Sequence, residues 1–132
     1  TMSRITNELE SIGDSTLNLF LQIERLEDNL KFSNHMNDEI TKMYNLVIEF
    51  TKWNDLFISD NITPMTKEDL NKSIKYEKEI DQLRNDLLDS SRSRLSEGSE
   101  PKAELLFMDI IKHLEHIGDY SLNISQAIEH IN

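Results

Sequence analysis

Apolar side chains recur at alternating intervals of three and four residues along most of the chain. In the first segment the series includes Ile5, Leu9, Ile12 and Leu19, and comparable series occupy three later segments. This spacing is that of an amphipathic α-helix, which turns once every 3.6 residues. The pattern predicts four helices with one apolar face each, at about residues 2–32, 34–58, 66–96 and 101–131.

Turn-forming residues separate these segments. Residues 59–64 read SDNITP, which is typical of a loop. Residues 96–101 place Gly98 just after one helix and Pro101 at the start of the next. Because the segments are similar in length and the connections are short, we expect an all-α fold, an antiparallel four-helix up-down bundle.

The composition narrows the class of protein further. The 132 residues include only three glycines and two prolines, too few for the many turns of a β-sandwich or barrel. The absence of cysteine excludes disulfides and zinc–thiolate sites. No apolar run approaches the ~20 residues that cross a bilayer, so we expect no direct membrane insertion. The net charge of −11 argues against nucleic acid and anionic membrane surfaces as partners.

The first and fourth segments share polar residues that an amphipathic helix does not require. Residues 9–19 read LESIGDSTLNL and residues 114–124 read LEHIGDYSLNI, so Glu, Gly, Asp and Asn recur in the same register. On a helical wheel the acidic and amide residues lie opposite the apolar face of their own helix. They are Glu10, Asp14 and Asn18 in the first segment, and Glu115, Asp119 and Asn123 in the fourth.

This repeated signature carries a cost for folding. Two carboxylates four residues apart on a helix repel each other by a few tenths of a kcal/mol, and a glycine inside a helix costs about 1 kcal/mol relative to alanine. A hard metal ion bridged by the carboxylates would offset the repulsion, with asparagine in support. The glycine would let a neighbouring backbone or a hydrated ion approach. The alternative, which composition leaves open, is a solvated acidic surface.

The signature resembles that of the PhoU family, in which Glu-Arg-Ile-Gly-Asp-x-x-x-Asn-Ile recurs once in each of two three-helix repeats. The segments before the fourth helix, at residues 79–85, 94–98 and 105–109, are similar to the C-terminal PhoU-like domain of bacterial Na⁺/phosphate cotransporter family proteins. The resemblance covers most of the chain and is weakest over residues 34–65.

In this register the chain resembles a PhoU-like domain, spanning residues 1–132, that is truncated at its N-terminus. Residues 1–32 correspond to the last helix of one repeat, and residues 34–131 to the whole of the next. The resemblance implies a regulatory or interaction domain without catalytic activity. It would lie on the cytoplasmic side, tethered to the inner membrane through the Na⁺/phosphate transporter domain of the same full-length protein. Homo-oligomerisation would cover the first helix where its usual neighbours are missing.

The resemblance also implies a metal site, because family members carry iron, zinc, manganese or magnesium on the bundle surface. The positions that match the ligands of the family are Glu10, Asp14, Glu115 and Asp119, with Asn18 and Asn123 in support. The chain departs from the family pattern where Ser11 and His116 replace the usual arginine. Tyr120 stands where the transporter subgroup usually has histidine.

Two other functions are alternatives. One is a ligand-free structural or dimerisation bundle. The other is a carboxylate-bridged di-iron enzyme of the ferritin type, which needs Glu-x-x-His on two helices. None of the four histidines has a glutamate three residues earlier, which makes this the less favoured alternative.

Overall fold

The computed structural model describes residues 2–24 and 31–131. The regular secondary structure of these residues consists of four helices: α1 (Met2–Glu24), α2 (Asn34–Ile58), α3 (Lys67–Ser96) and α4 (Pro101–Glu129). The prediction of an all-α bundle is confirmed. None of the four described helices combines the length and the apolar character that crossing a bilayer requires.

The end of the first helix differs from the expected one. Lys31 and Phe32, which the apolar pattern placed in that helix, are not helical. Ser33 explains the break, because it is extended and its side chain accepts a hydrogen bond from the backbone N–H of Met36 as the N-cap of α2. The apolar positions Leu26 and Leu30 lie outside the described residues.

α3 and α4 begin within one residue of the predicted positions, whereas α4 ends at Glu129, two residues before the predicted end. Thr66 and Asp69 form a reciprocal capping box, with N–H to side-chain oxygen distances of 3.0 and 3.1 Å. Gly98 has a φ of 96°, which lets the chain reverse after α3. Pro101 then occupies the first turn of α4.

α4 occupies the centre of the fold and packs against each of the other three helices. Consecutive helices run in opposite directions. Arg84 and Ser91 of α3, for example, contact Glu115 and Glu104 of α4, in reverse order. Within the described residues α1 packs against α4 alone, and not against α2 or α3. The bundle is therefore a three-helix unit of α2, α3 and α4 with α1 laid along α4.

Candidate metal centre

α3 and α4 bring four carboxylates together, and we call them the carboxylate cluster. Each residue offers one oxygen, and these oxygens all lie within 4.8 Å of one another. Each helix contributes a pair of residues four apart, a spacing that places both carboxylates on the same helix face. The members are Glu77 and Asp81 of α3 and Glu115 and Asp119 of α4.

A glycine lets the two helix faces meet. A Cβ atom built on Gly118 would lie 3.1 Å from Cδ1 and 3.3 Å from Cγ2 of Ile80. Ile80 is fully buried and comes directly before Asp81, as Gly118 comes directly before Asp119. The close approach expected at this glycine is therefore made by a side chain of α3.

The cluster is partly shielded from water and only partly neutralised. Glu115 is 7% exposed, and its Oε1 lies 3.1 Å from a guanidinium nitrogen of Arg84. Glu77 Oε2 is buried and accepts no hydrogen bond from a described residue. A buried carboxylate oxygen without a donor is costly, and a proton or a metal ion would satisfy it.

The surroundings raise the pKa of every member of the cluster. Burial is the largest cause in each case, and repulsion between the carboxylates adds to it. The pKa of Asp119 rises to about 6. Arg84 acts in the opposite sense on the pKa of Asp81 and of Glu115 without cancelling the increase. The site therefore favours a bound proton or cation over four free negative charges.

The structure separates the two halves of the predicted ligand set. Glu115 and Asp119 belong to the cluster, whereas Glu10 and Asp14 are exposed on α1 and are not part of it. The wheel prediction that the acidic residues of the fourth helix face away from the core is wrong. α3 covers this side of α4, so Glu115 is buried between the two helices.

The two asparagines of the signature do not support the cluster in this structure. Asn123 donates a hydrogen bond from Nδ2 to Oε2 of Glu8, at 3.4 Å, and so contacts α1. Asn18 is exposed on α1. His116, considered as an additional nitrogen near the motif, is also exposed.

Sequence reasoning missed the α3 half of the cluster. Glu77 and Asp81 have the same four-residue spacing as Glu115 and Asp119, and this spacing was the available signal. Asn85 follows Asp81 by four residues, so α3 also repeats the asparagine of the signature. Ile80 stands where the first and fourth helices have glycine, and without that glycine the repeat in α3 is harder to recognise among 25 acidic residues.

Fold and cluster together define an all-α domain with a candidate cation site between two helices. The family model described as PhoU domain matches residues 33–128, which span α2, α3 and nearly all of α4. The chain belongs to the PhoU family, a phosphate-related family of regulatory helical domains that are not typically catalytic. No curated protein and no solved structure matches the chain.

Gly118 and Gly13 allow a matched test of this packing. We expect Gly118→Leu to destabilise the fold by about 1–3 kcal/mol, because the new side chain must displace Ile80. Gly13→Leu should instead stabilise it by about 0.5–1 kcal/mol, because no described residue lies within 4 Å of a Cβ there and leucine favours helix. Urea unfolding at low protein concentration measures both. Equal effects of the two substitutions would contradict the close packing of α3 on Gly118.

Proposed function

We propose that the chain is a regulatory PhoU domain whose carboxylate cluster binds a divalent or trivalent metal ion. The separation of the four oxygens, at most 4.8 Å, carries this proposal. Hard cations bind carboxylate oxygens at about 2.0–2.6 Å, so oxygens on opposite sides of one ion are about 4–5 Å apart. The four carboxylates can thus surround a single ion with small movements of their side chains.

The charge of the site supports the same proposal. Carboxylate oxygens suit iron, manganese and magnesium, and zinc also accepts them. A cation would remove the repulsion that raises the pKa of the four carboxyls. It would also satisfy Glu77 Oε2, which lacks a hydrogen-bond donor among the described residues. Metal and protons would compete for the site, so that binding strengthens as the pH rises.

The proposed role is regulation through a docking surface, with no bond-making chemistry. A metal ion would tie α3 to α4 and change the charge of the surface that they form together. The resemblance of the linking segments supports the Na⁺/phosphate transporter domain of the same full-length protein as the partner, on the cytoplasmic side of the inner membrane. Glu10 and Asp14 stay predicted ligands, for which another helix would have to supply opposing carboxylates.

A second candidate is a structural bundle that binds no metal. The ion pair between Arg84 and Glu115 compensates part of the negative charge. With its pKa raised to about 6, Asp119 can hold a proton close to neutral pH. Bound protons and Arg84 would then neutralise enough negative charge for the four carboxylates to lie close together without a metal ion.

Metal titration followed by calorimetry, at a pH of about 7.5, above the pKa of about 6 of Asp119, distinguishes these functions. We expect saturable binding to the wild-type chain, weakened at least about 10–100-fold by Glu115→Gln or Asp119→Asn. Asp38→Asn and Glu97→Gln, at exposed carboxylates outside the cluster and outside the predicted ligand set, are the matched controls and should leave this binding unchanged. Absence of saturable binding of iron, zinc, manganese and magnesium ions would overturn the metal proposal. Sodium-dependent phosphate uptake by the full-length protein tests the regulatory part, since Asp119→Asn should alter uptake and Asp38→Asn should not.

A further inference from the structure

Arg84 lies at one end of the carboxylate cluster. It follows Asp81 by three residues on α3, so both side chains lie on the same face of that helix. A guanidinium nitrogen of Arg84 lies 3.1 Å from Oε1 of Glu115 on α4. The positive charge of Arg84 acts to lower the pKa of both Asp81 and Glu115, against the burial that raises them. A side chain of the protein itself thus supplies part of the positive charge that the cluster attracts.

The guanidinium of Arg84 is held less firmly than that of Arg94. Besides its contact with Glu115, Arg84 donates hydrogen bonds from Nε and Nη2 to Oδ1 of the adjacent Asn85, at 3.3 and 3.2 Å. The Arg84 side chain is 29% exposed. Arg94 is 17% exposed and pairs with two glutamates, one on α2 and one on α4. Water can therefore replace the contacts of Arg84 more easily than those of Arg94.

Glu115 is the carboxylate for which Arg84 and a metal ion would compete. A hard cation binds a carboxylate oxygen at about 2.0–2.6 Å, so an ion bound to Glu115 would lie about 4–6 Å from the guanidinium as it now stands. Glu115 is 7% exposed, and two positive charges repel each other more strongly where water is largely excluded. The present position of Arg84 therefore opposes a bound metal ion.

We propose that Arg84 is an internal counter-ion of the carboxylate cluster, which a metal ion displaces from Glu115 when it binds. This role of Arg84 rests on the proposed function, in which the cluster binds a metal ion. Arg84 adds a means of regulating that site, because its ion pair lowers the affinity of the cluster for cations. The same ion pair helps to keep the four carboxylates together without metal. Metal binding would then release a charged side chain at the surface of α3.

The charge of the ion sets how strongly Arg84 opposes its binding. Coulomb repulsion grows with the product of the two charges, so Arg84 disfavours a trivalent ion more than a divalent one. Removal of the guanidinium should therefore raise the affinity for both ions, and by the larger factor for the trivalent ion. A residue that only oriented Glu115 as a ligand would behave differently, because its loss would weaken the binding of both.

Calorimetric titration of the whole chain with Mn²⁺ and with La³⁺, at a pH of about 7.5, tests the proposal. We expect Arg84→Gln to bind Mn²⁺ at least about tenfold more tightly than wild type does, and La³⁺ with a larger gain. Arg84→Lys retains the charge, so its affinities should lie closer to those of wild type. Arg92→Gln is the matched control and should leave both affinities unchanged, since Arg92 is exposed on α3 and pairs with Asp89, outside the cluster.

The thermal midpoint measured with chelator present is a second, independent observation. Arg84→Gln should lower it, because the carboxylates lose their counter-ion, whereas saturating Mn²⁺ should raise the midpoint of Arg84→Gln more than that of wild type. An orienting role for Arg84 predicts the reverse order of the two metal-induced shifts.

Two results for Arg84→Gln would contradict displacement by metal. One is binding of Mn²⁺ that is weaker than in wild type or unchanged. The other is an equal gain for Mn²⁺ and La³⁺, or a gain that Arg92→Gln reproduces, since neither depends on repulsion from Arg84. If neither wild type nor Arg84→Gln binds either ion, the proposed function fails together with this role. Binding by Arg84→Gln alone would support the role of Arg84 and contradict metal binding by the wild-type chain.

Discussion

Replacing Glu104 with alanine is expected to destabilise the fold by about 3–5 kcal/mol, a large part of the stability of a small domain. Glu104 lies in the first turn of α4 and is fully buried. Its loss would leave the guanidinium of Arg94 without its main partner in a partly buried position. Glu39 would compensate this charge only in part, and the buried Ser91 hydroxyl would lose its acceptor, so breaking this side of the ion pair is costly.

The contacts of Glu104 connect three parts of the chain. Its carboxylate accepts two hydrogen bonds from Arg94, at 2.9 and 3.0 Å, and one each from Ser91 and Ser99, at 2.7 and 2.6 Å. Arg94 also donates to Glu39 of α2, at 2.6 Å. Burial alone raises the pKa of Glu104, but the hydrogen bonds from Arg94, Ser99 and Ser91 outweigh it, so the net pKa is lowered. The network thus holds the end of α3, the start of α4 and α2 together.

Urea unfolding followed by circular dichroism measures this effect. The matched control is Glu97→Ala, an exposed glutamate at the end of α3, which should change the unfolding free energy by less than about 0.5 kcal/mol. The double variant Glu104→Met with Arg94→Met should be more stable than Glu104→Ala, because it removes both charges. A cost below about 1 kcal/mol for Glu104→Ala would show that water replaces Arg94 and the serines without penalty.

The sequence predicted the helices well because their signals are local. The apolar spacing can be recognised within each segment, and Ser33, Thr66 and Gly98 act within a few residues of a helix end. In the structure Ser33 and Thr66 are N-caps, and Gly98 has the positive φ that is common just after a helix. The arrangement of the helices was harder to predict. It depends on which helix surfaces pack against other helices. Small residues permit such packing, but they do not contribute to an apolar pattern.

α4 shows why the position of the site could not be predicted completely. Ser121 lies in register with the apolar series of this helix, and it is buried as that register predicts. Gly118 and Ser125 are small or polar and lie outside that series, yet both are buried as well. They let α4 pack on more than one side, and the face that carries Glu115 is covered by α3. The role of Glu104 was hidden for a related reason, since its partners Ser91 and Arg94 belong to the preceding helix α3, and Arg94 in turn donates to Glu39 of α2.

Replacing Asp119 with asparagine is expected to stabilise the metal-free protein at a pH of about 8 and to leave its stability unchanged at a pH of about 4. The pKa of Asp119 is raised from its usual 3.8 to about 6, mainly by burial. Between these values the folded state binds more protons than the unfolded state, so the contribution of Asp119 to stability falls as the pH rises. Above about 6 the full penalty of the ionised carboxylate is present, and asparagine removes it.

The opposite sign applies to Glu104, because its pKa is lowered in the folded state. Its ionised carboxylate contributes stability at pH values above the usual pKa of a glutamate, and this stability is lost as the pH falls. The two contributions oppose each other in the wild-type curve. They separate in the difference between wild type and Asp119→Asn, because both proteins keep Glu104.

Urea unfolding with chelator present measures this difference, and Asp14→Asn, exposed on α1, is the control that should show no such change between the two pH values. Destabilisation by Asp119→Asn at the higher pH without metal would contradict mutual repulsion within the cluster. With metal added, the order should reverse, because the ion stabilises only the protein that retains all four carboxylates.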